Sequence, residues 1–212
     1  MSGKYFLNEM GKPDVSQRMA QDMKPVLFEP SNLKIDNKEV FYTVYRNLGV
    51  IPELARYDIT VIPARPAGGP ARKVGREFSK TFGHYHRGPQ SDLYEVLEGH
   101  AYFLIQRYEH DPGEIKEVYI IEASAGEKAV TPPNFGHLAI NVGDTDLVLA
   151  NWVGFVEYDY ETYKKFRGGC YYVLDTRLDS ARQAGENIEF EKNKNYKSAP
   201  EIKKLKQRDI PE

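Results

Sequence analysis

The sequence contains one cysteine, Cys170, so no internal disulfide is available and a reducing compartment fits. A small buried side chain is the expected fate of that thiol. No apolar run approaches the roughly 20 residues that span a bilayer. Residues 1–24 are polar and lack the apolar centre of a signal peptide. A cytoplasmic protein without a membrane partner is therefore expected. Basic blocks are missing too. The net charge is −2, and nucleic acid is not an expected partner. There is no internal repeat and no low-complexity tract. What remains is a chain of 212 residues, 41% hydrophobic, enough to build a sizeable core.

The pattern along the chain is dominated by short β-type segments. Residues 1–39 are polar and mixed, with Pro13, Pro25 and Pro30 breaking any long helix, although Ser16 to Met23 has room for two helical turns. Val40 to Tyr45 and Tyr57 to Ile62 are rich in β-branched and aromatic residues and read as strands. Pro63 to Gly75 reads as a loop. Strand character returns from Phe78 to His86, then at Asp92–Leu97 and Ala101–Tyr108. Asp111-Pro112-Gly113 turns the chain into Val118–Glu122, and Ala129–Thr131, Leu138–Val142 and Leu147–Val153 complete the run. Tyr158 to Phe166 reads as helical. Residues 176–212 turn charged, and 192–208 are expected to form a peripheral helix or a frayed tail. The expected architecture is all-β, a sandwich or barrel spanning 40–175 between an N-terminal extension and a charged C-terminal segment.

The chemistry concentrates in two places. Gly83-His84-Tyr85-His86 puts two imidazoles on one face of a strand, a spacing that suits chelation of one ion. Two histidines on a strand are also compatible with plain surface polarity. Downstream stand Asp92 and Glu95. Alternation places Asp92, Tyr94 and Val96 on one face and Glu95 on the other, so Asp92 is the expected carboxylate partner; a bulge would reverse that choice. Further on come Gly126, five residues, Pro132-Pro133-Asn134, two residues, His137, three residues and Asn141. Asn134 is the non-glycine type that best tolerates a left-handed turn.

This second run resembles the second motif of the cupin superfamily, with Asn134 in place of the usual glycine. The first cupin motif is met by His84-Tyr85-His86, five residues, Asp92, six residues and Gly99, with Asp instead of the usual Glu. The resemblance implies a double-stranded β-helix, or jelly-roll barrel, with short peripheral helices. Within cupins the chain is most similar to the metal-dependent archaeal-type glucose-6-phosphate isomerases. That likeness rests on Tyr57-Asp58-Ile59-Thr60-Val61, Glu77, Lys80 to His86, Tyr94 to Gly99 and Asp159-Tyr160.

The likeness implies one divalent transition metal per subunit, held by His84, His86, Asp92 and His137. Iron(II) is the first expectation, with manganese, nickel and zinc as alternatives, since ligand type alone does not choose. It implies aldose–ketose isomerisation of a sugar phosphate in glycolysis and gluconeogenesis, with Asp92 and Tyr94 as catalytic residues. Thr60, Thr81 and Gly83 would meet the phosphate, with Lys80 as its counter-charge, although a solvated strand-edge lysine is an equal reading. Tyr158 stands where some members carry histidine, which puts an imidazole acid–base role at that corner in doubt. Tyr158, Tyr160 and Trp152 are candidates for the pocket wall, Trp152 fitting the core better. His100 and His110 fall outside both motifs. A metal-dependent dioxygenase and a non-catalytic sugar-phosphate binder are the competing functions. A homodimer is expected, pairing through the edge around Val40–Tyr45.

Overall fold

Runs of alternating β-branched and aromatic residues, each closed by glycine, proline or aspartate, leave the backbone little choice but extended pairing. The computed structural model describes residues 14–32, 36–64, 76–154, 156–178 and 188–205. In chain order these form β1 (Asp14–Met19), α1 (Ala20–Met23), β2 (Val40–Ile51), β3 (Ala55–Ile62), β4 (His84–Arg87), β5 (Asp92–Glu98) and β6 (His100–Tyr108). There follow β7 (Ile115–Ser124), β8 (Lys128–Thr131), β9 (Gly136–Asn141), β10 (Leu147–Gly154), β11 (Glu157–Asp159), α2 (Glu161–Lys165), β12 (Tyr171–Asp175), β13 (Ile188–Lys192) and β14 (Lys203–Leu205).

Two six-stranded sheets carry the fold. One runs β1-β2-β3-β10-β5-β8 and the other β11-β4-β9-β6-β7-β14. This is the all-β jelly-roll barrel of the cupins. Buried side chains form one core cluster, in which Ile62 and Leu149 of the first sheet and Phe103 and Ile105 of the second lie between the sheets. At about 25 cal/mol per Å² of apolar surface removed from water, such a core is the main stabilising contribution. Asn134 has φ +66°, the left-handed turn expected of it just before β9.

Four expectations are corrected. Ser16–Met23 is mostly β1, which pairs antiparallel with β2 from Asp14↔Arg46 to Met19↔Val40; only the last four residues are helical. The edge around Val40–Tyr45 is consequently covered, and β1 is an outer strand of that sheet. Tyr158 and Asp159 belong to β11, paired with β4, so the helix begins only at Glu161. The C-terminal segment is neither helix nor frayed tail across its described part. β13 pairs with β12, and β14 adds a parallel strand to β7. The physical reason lies in a few residues among the lysines. Tyr196 is buried and stacks on Phe166 with centroids 4.6 Å apart, and the Asn193 amide donates to the carbonyls of Phe166 and Gly169 at 2.8 Å. The expected loop over Pro63–Gly75 lies mostly outside the described residues.

Candidate active site

The histidine strand is short because the backbone before it leaves the regular ladder. Residues 77–83 touch β12 through an isolated bridge at Glu77↔Leu174 and β9 through one at Lys80↔Ile140, and the Thr81 hydroxyl oxygen accepts the Ala139 N–H at 3.0 Å. Gly83 then takes φ +84°, and β4 begins. Pairing of β4 with β9 sets His84 opposite His137, so both imidazoles share the inner face. The carboxylate comes from the facing sheet. β5 buries Asp92, Tyr94 and Val96 and turns Glu95 outward, where it pairs with Lys128 at 3.3 Å.

His84, His86, Asp92 and His137 each offer a donor atom, and all four atoms lie within 4.8 Å of one another. The Nε2 atoms of His84 and His86 are 3.0 Å apart. Asp92 Oδ2 is 3.4 Å from Nε2 of both His86 and His137. Donors held about 2.1 Å from one centre stand about 3.0–3.4 Å apart, so the cluster has the dimensions of a coordination shell. Asp92 Oδ1 and His137 Nδ1 are buried without a hydrogen-bond partner among the described residues, a cost that structural packing alone would not retain. Burial, reinforced by the neighbouring imidazoles, lowers His84 well below the ordinary histidine value. Burial likewise lowers His86 to about 4, against the pull of Asp92. Both rings are therefore neutral at pH 7, the form that binds metal. The residues fit a divalent transition metal.

Tyr94 donates its hydroxyl to Asp92 Oδ2 at 3.0 Å and lies 3.0 Å from His137 Nε2. Burial, with Asp92 beside it, holds the Tyr94 phenol well above its usual value, so it keeps its proton. The cavity in front of the cluster is lined by Tyr42, Arg46, Asp58, Thr60, Thr81, Gly83, Asn151, Tyr158 and Tyr160, among others. Tyr158 stands edge-on to His84, centroids 4.5 Å apart, and burial pushes its hydroxyl up to about 12. Trp152 is on the outer face, tilted against Tyr57 at 5.1 Å, and does not line the cavity. His100 pairs with Glu122 at the surface, and His110 lies in a separate depression with Arg87 and Arg107.

Lys80 does not reach the cavity. Its ammonium is buried, hydrogen-bonded to Glu77 and to the Val26 carbonyl at 2.7 Å, while the Phe28 N–H donates to the other Glu77 oxygen at 2.8 Å. The lysine expected as phosphate counter-charge instead ties the N-terminal segment to the barrel. Lys80→Met is expected to lower stability by about 3 kcal/mol. This is the low end for a broken buried pair, because burial already raises Glu77 and lets it take up a proton. Chemical denaturation reads this directly, and an unchanged midpoint would contradict the pairing.

The neutral histidines also set a pH dependence in protein freed of metal by a chelator. A histidine whose folded value is depressed makes the unfolded state bind more protons below 6.5, so stability falls as pH drops through 6.5 towards 4. Chelated wild type is expected to lose more melting temperature between pH 7 and pH 5 than chelated His86→Gln. Equal losses would mean that His86 is not held neutral.

The fold and the cluster define a cupin barrel with a candidate metal centre built across its two sheets. A family model described as glucose-6-phosphate isomerase matches residues 17–189. The glucose-6-phosphate isomerase of Thermococcus litoralis is 36% identical over 160 residues, covering 74% of this chain and 68% of that protein. That of Thermococcus gammatolerans is 31% identical over 105 residues, 49% of this chain and 52% of that one. That of Pyrococcus furiosus is 32% identical over 92 residues, 42% and 46% respectively. The chain thus spans about half the length of these last two relatives. Among solved structures, an oxalate oxidase aligns with a TM-score of 0.39 and 18% identity over 54% of this chain and 51% of that one. The chain belongs to the glucose-6-phosphate isomerase family.

Arg46, Asp58, Tyr42 and Asn151 line the cavity without having been given a role in the site from the sequence. A usable signal was there for the first three. Tyr42, Val44 and Arg46 alternate on one face of β2, and Asp58 and Thr60 on one face of β3, so charges stand on strand faces that otherwise point inward.

Proposed function

We propose that the chain interconverts glucose 6-phosphate and fructose 6-phosphate, with one divalent transition metal held by His84, His86, Asp92 and His137. The observation that carries this reading is the convergence of three imidazoles from one sheet and the Asp92–Tyr94 pair from the other on one cavity, in a chain of this family. Iron(II) is the first candidate, then manganese, nickel and zinc. When bound, such an ion supplies a Lewis acid that polarises the carbonyl and stabilises negative charge developing on the two adjacent oxygens.

The residues divide the remaining work. The reaction moves a hydrogen between two adjacent carbons, as a proton or as a hydride; on the proton route Asp92 would be the base, a contribution of about 10²–10⁴-fold for a positioned base. Tyr94 holds Asp92 through its hydroxyl and, keeping its own proton, orients rather than abstracts. Thr60, Thr81 and Gly83 form the wall that would receive the phosphate end, and Tyr158 and Tyr160 flank the sugar and limit water. A cytoplasmic homodimer completes the proposal. With the edge of β2 already covered, the outer edge of β1, one of the two outer strands of that sheet, is the candidate contact.

The test is turnover of fructose 6-phosphate after chelation and again after adding back iron(II), manganese, nickel or zinc. Loss on chelation and recovery with at least one metal is expected. A protein that binds metal stoichiometrically and turns over nothing with any of the four would overturn the isomerase reading. Oxygen consumption by the iron-loaded protein would then separate a dioxygenase from a passive binder.

A further inference from the structure

With Lys80 committed to Glu77, the cavity has a charge that no assigned role uses. Apart from the histidines, the charged residues lining it among the described residues are Arg46, Asp58 and Asp92. Asp58 is buried and over-subscribed. Its Oδ2 accepts from Arg56 Nε at 2.9 Å and from Arg46 Nη1 at 3.2 Å, and its Oδ1 accepts the Asn47 N–H at 3.0 Å. Arg56 is further occupied by the Tyr158 hydroxyl, which its Nη2 meets. Arg46 therefore holds only the longer share of a divided carboxylate. Among the described residues that bond to Asp58 is its one hydrogen bond, and a quarter of its side chain is exposed, 26%.

A second guanidinium stands at the same end. Arg18, on β1, lies 5.1 Å from the Phe82 ring and 5.5 Å from the Tyr160 ring, and its Nε donates to the Tyr42 hydroxyl at 3.4 Å. Tyr42 and Tyr160 are both cavity walls. Arg46 and Arg18 thus bring two guanidiniums to one end of the cavity, beside the Tyr42 and Tyr160 walls. Guanidinium donors at a partly desolvated wall favour an anion with several acceptor oxygens.

We infer that Arg46 is the residue that recognises the phosphate dianion of the substrate, with Arg18 reinforcing the same end of the cavity. This rests on the isomerase reading for the identity of the substrate, but the anion site itself does not. A planar guanidinium with unused donors suits phosphate oxygens better than an ammonium would, and Asp58 keeps the fork from folding onto another anion. The β2 irregularity serves this end. Register shifts between Tyr45 and Gly49, with Asn47 at φ +58°, and the Asn47 N–H is pinned to the same Asp58.

The experiment compares metal-loaded wild type with Arg46→Met, Arg46→Lys and Arg18→Met on fructose 6-phosphate and on unphosphorylated fructose. Loss of a charge-assisted contact is expected to raise KM for fructose 6-phosphate about 10–100-fold in Arg46→Met, with kcat far less affected. The ratio of kcat/KM for the phosphorylated over the free sugar falls by the same factor. Arg46→Lys recovers part of it, and Arg18→Met shows a smaller rise. Equal losses on both sugars, or an unchanged KM, would overturn the assignment. If Arg46→Met does not fold, Arg46→Lys decides alone, through a KM rise of about 3–10-fold expected for losing the fork while keeping the charge. Calorimetric titration of metal-free protein with inorganic phosphate separates this inference from the isomerase reading. Binding weakened at least tenfold by Arg46→Met supports the anion site even if no sugar phosphate turns over, and binding unaffected by the substitution sinks it.

Discussion

His137→Ala is expected to abolish stoichiometric metal binding and fructose 6-phosphate turnover together, with activity down on the order of 10³-fold or more. The magnitude follows from what the ligand holds. A Lewis acid at a developing oxyanion contributes several kcal/mol, and about 4 kcal/mol is roughly 10³-fold in rate. His137 is the cross-strand partner of His84 and contacts Tyr94, so its loss opens the shell on one side and frees the hydroxyl that holds Asp92. Metal content measured after gel filtration and kcat/KM on the same samples are the readouts. Full activity without His137 would remove the cluster from the mechanism.

The carboxylate is tested by a matched pair. Asp92→Asn is expected to weaken metal binding and turnover by at least 10²-fold, because an amide brings neither charge nor a base to the cluster. Glu95→Gln is expected to cost under about 0.5 kcal/mol of stability and to leave the metal in place, since the exposed pair with Lys128 is worth little. The reverse pattern would mean that β5 turns its other face to the barrel in solution.

What could be seen of this site before the fold was known depended on whether alternation survived along each strand. β5 is regular from Asp92 to Val96, with its register shift against β10 falling only beyond Val96, and Asp92, Tyr94 and Val96 all face inward as period two requires. The histidine strand is different. Alternation alone would put Lys80 on the face of His84 and Thr81 on the opposite one. The positive φ of Gly83 breaks the parity, so Thr81 joins His84 at the cavity and Lys80 turns back to Glu77. No local pattern announces that reversal, because a glycine in a strand is equally consistent with a bulge, a bend or plain packing. The barrel was legible for a similar reason. Most of its strands are bounded by strong turn residues, whereas β1 and β14 are polar edge strands that exist only because β2 and β7 offer them a free ladder. Arg46 stayed hidden because an arginine on a strand reads as solvent-facing until the inward face of β2 is known.

Gly83→Ala is expected to be the most disruptive of the small substitutions. A Cβ at this position would stand 2.4 Å from Tyr163 Cε1 and 2.5 Å from Cδ1, and Tyr163 is wholly buried. The conformation itself costs a non-glycine residue about 1–2 kcal/mol. Overpacking against a ring that cannot retreat adds about 1–3 kcal/mol. The sum, about 2–5 kcal/mol, is a large share of the roughly 5–15 kcal/mol that holds an ordinary domain together. A fall of about 10 °C in melting temperature is expected. Activity should fall further than stability explains, because relief by backbone movement displaces His84, the next residue, and misplacement by about 1 Å costs on the order of 10²-fold. Tyr163→Leu in the same chain separates the causes: it makes room for the methyl group but leaves φ positive, so only the overpacking share should return. If Gly83→Ala melts and turns over like wild type, the backbone at Gly83 is not held in the left-handed region, and the reversal that sends Lys80 to Glu77 loses its cause.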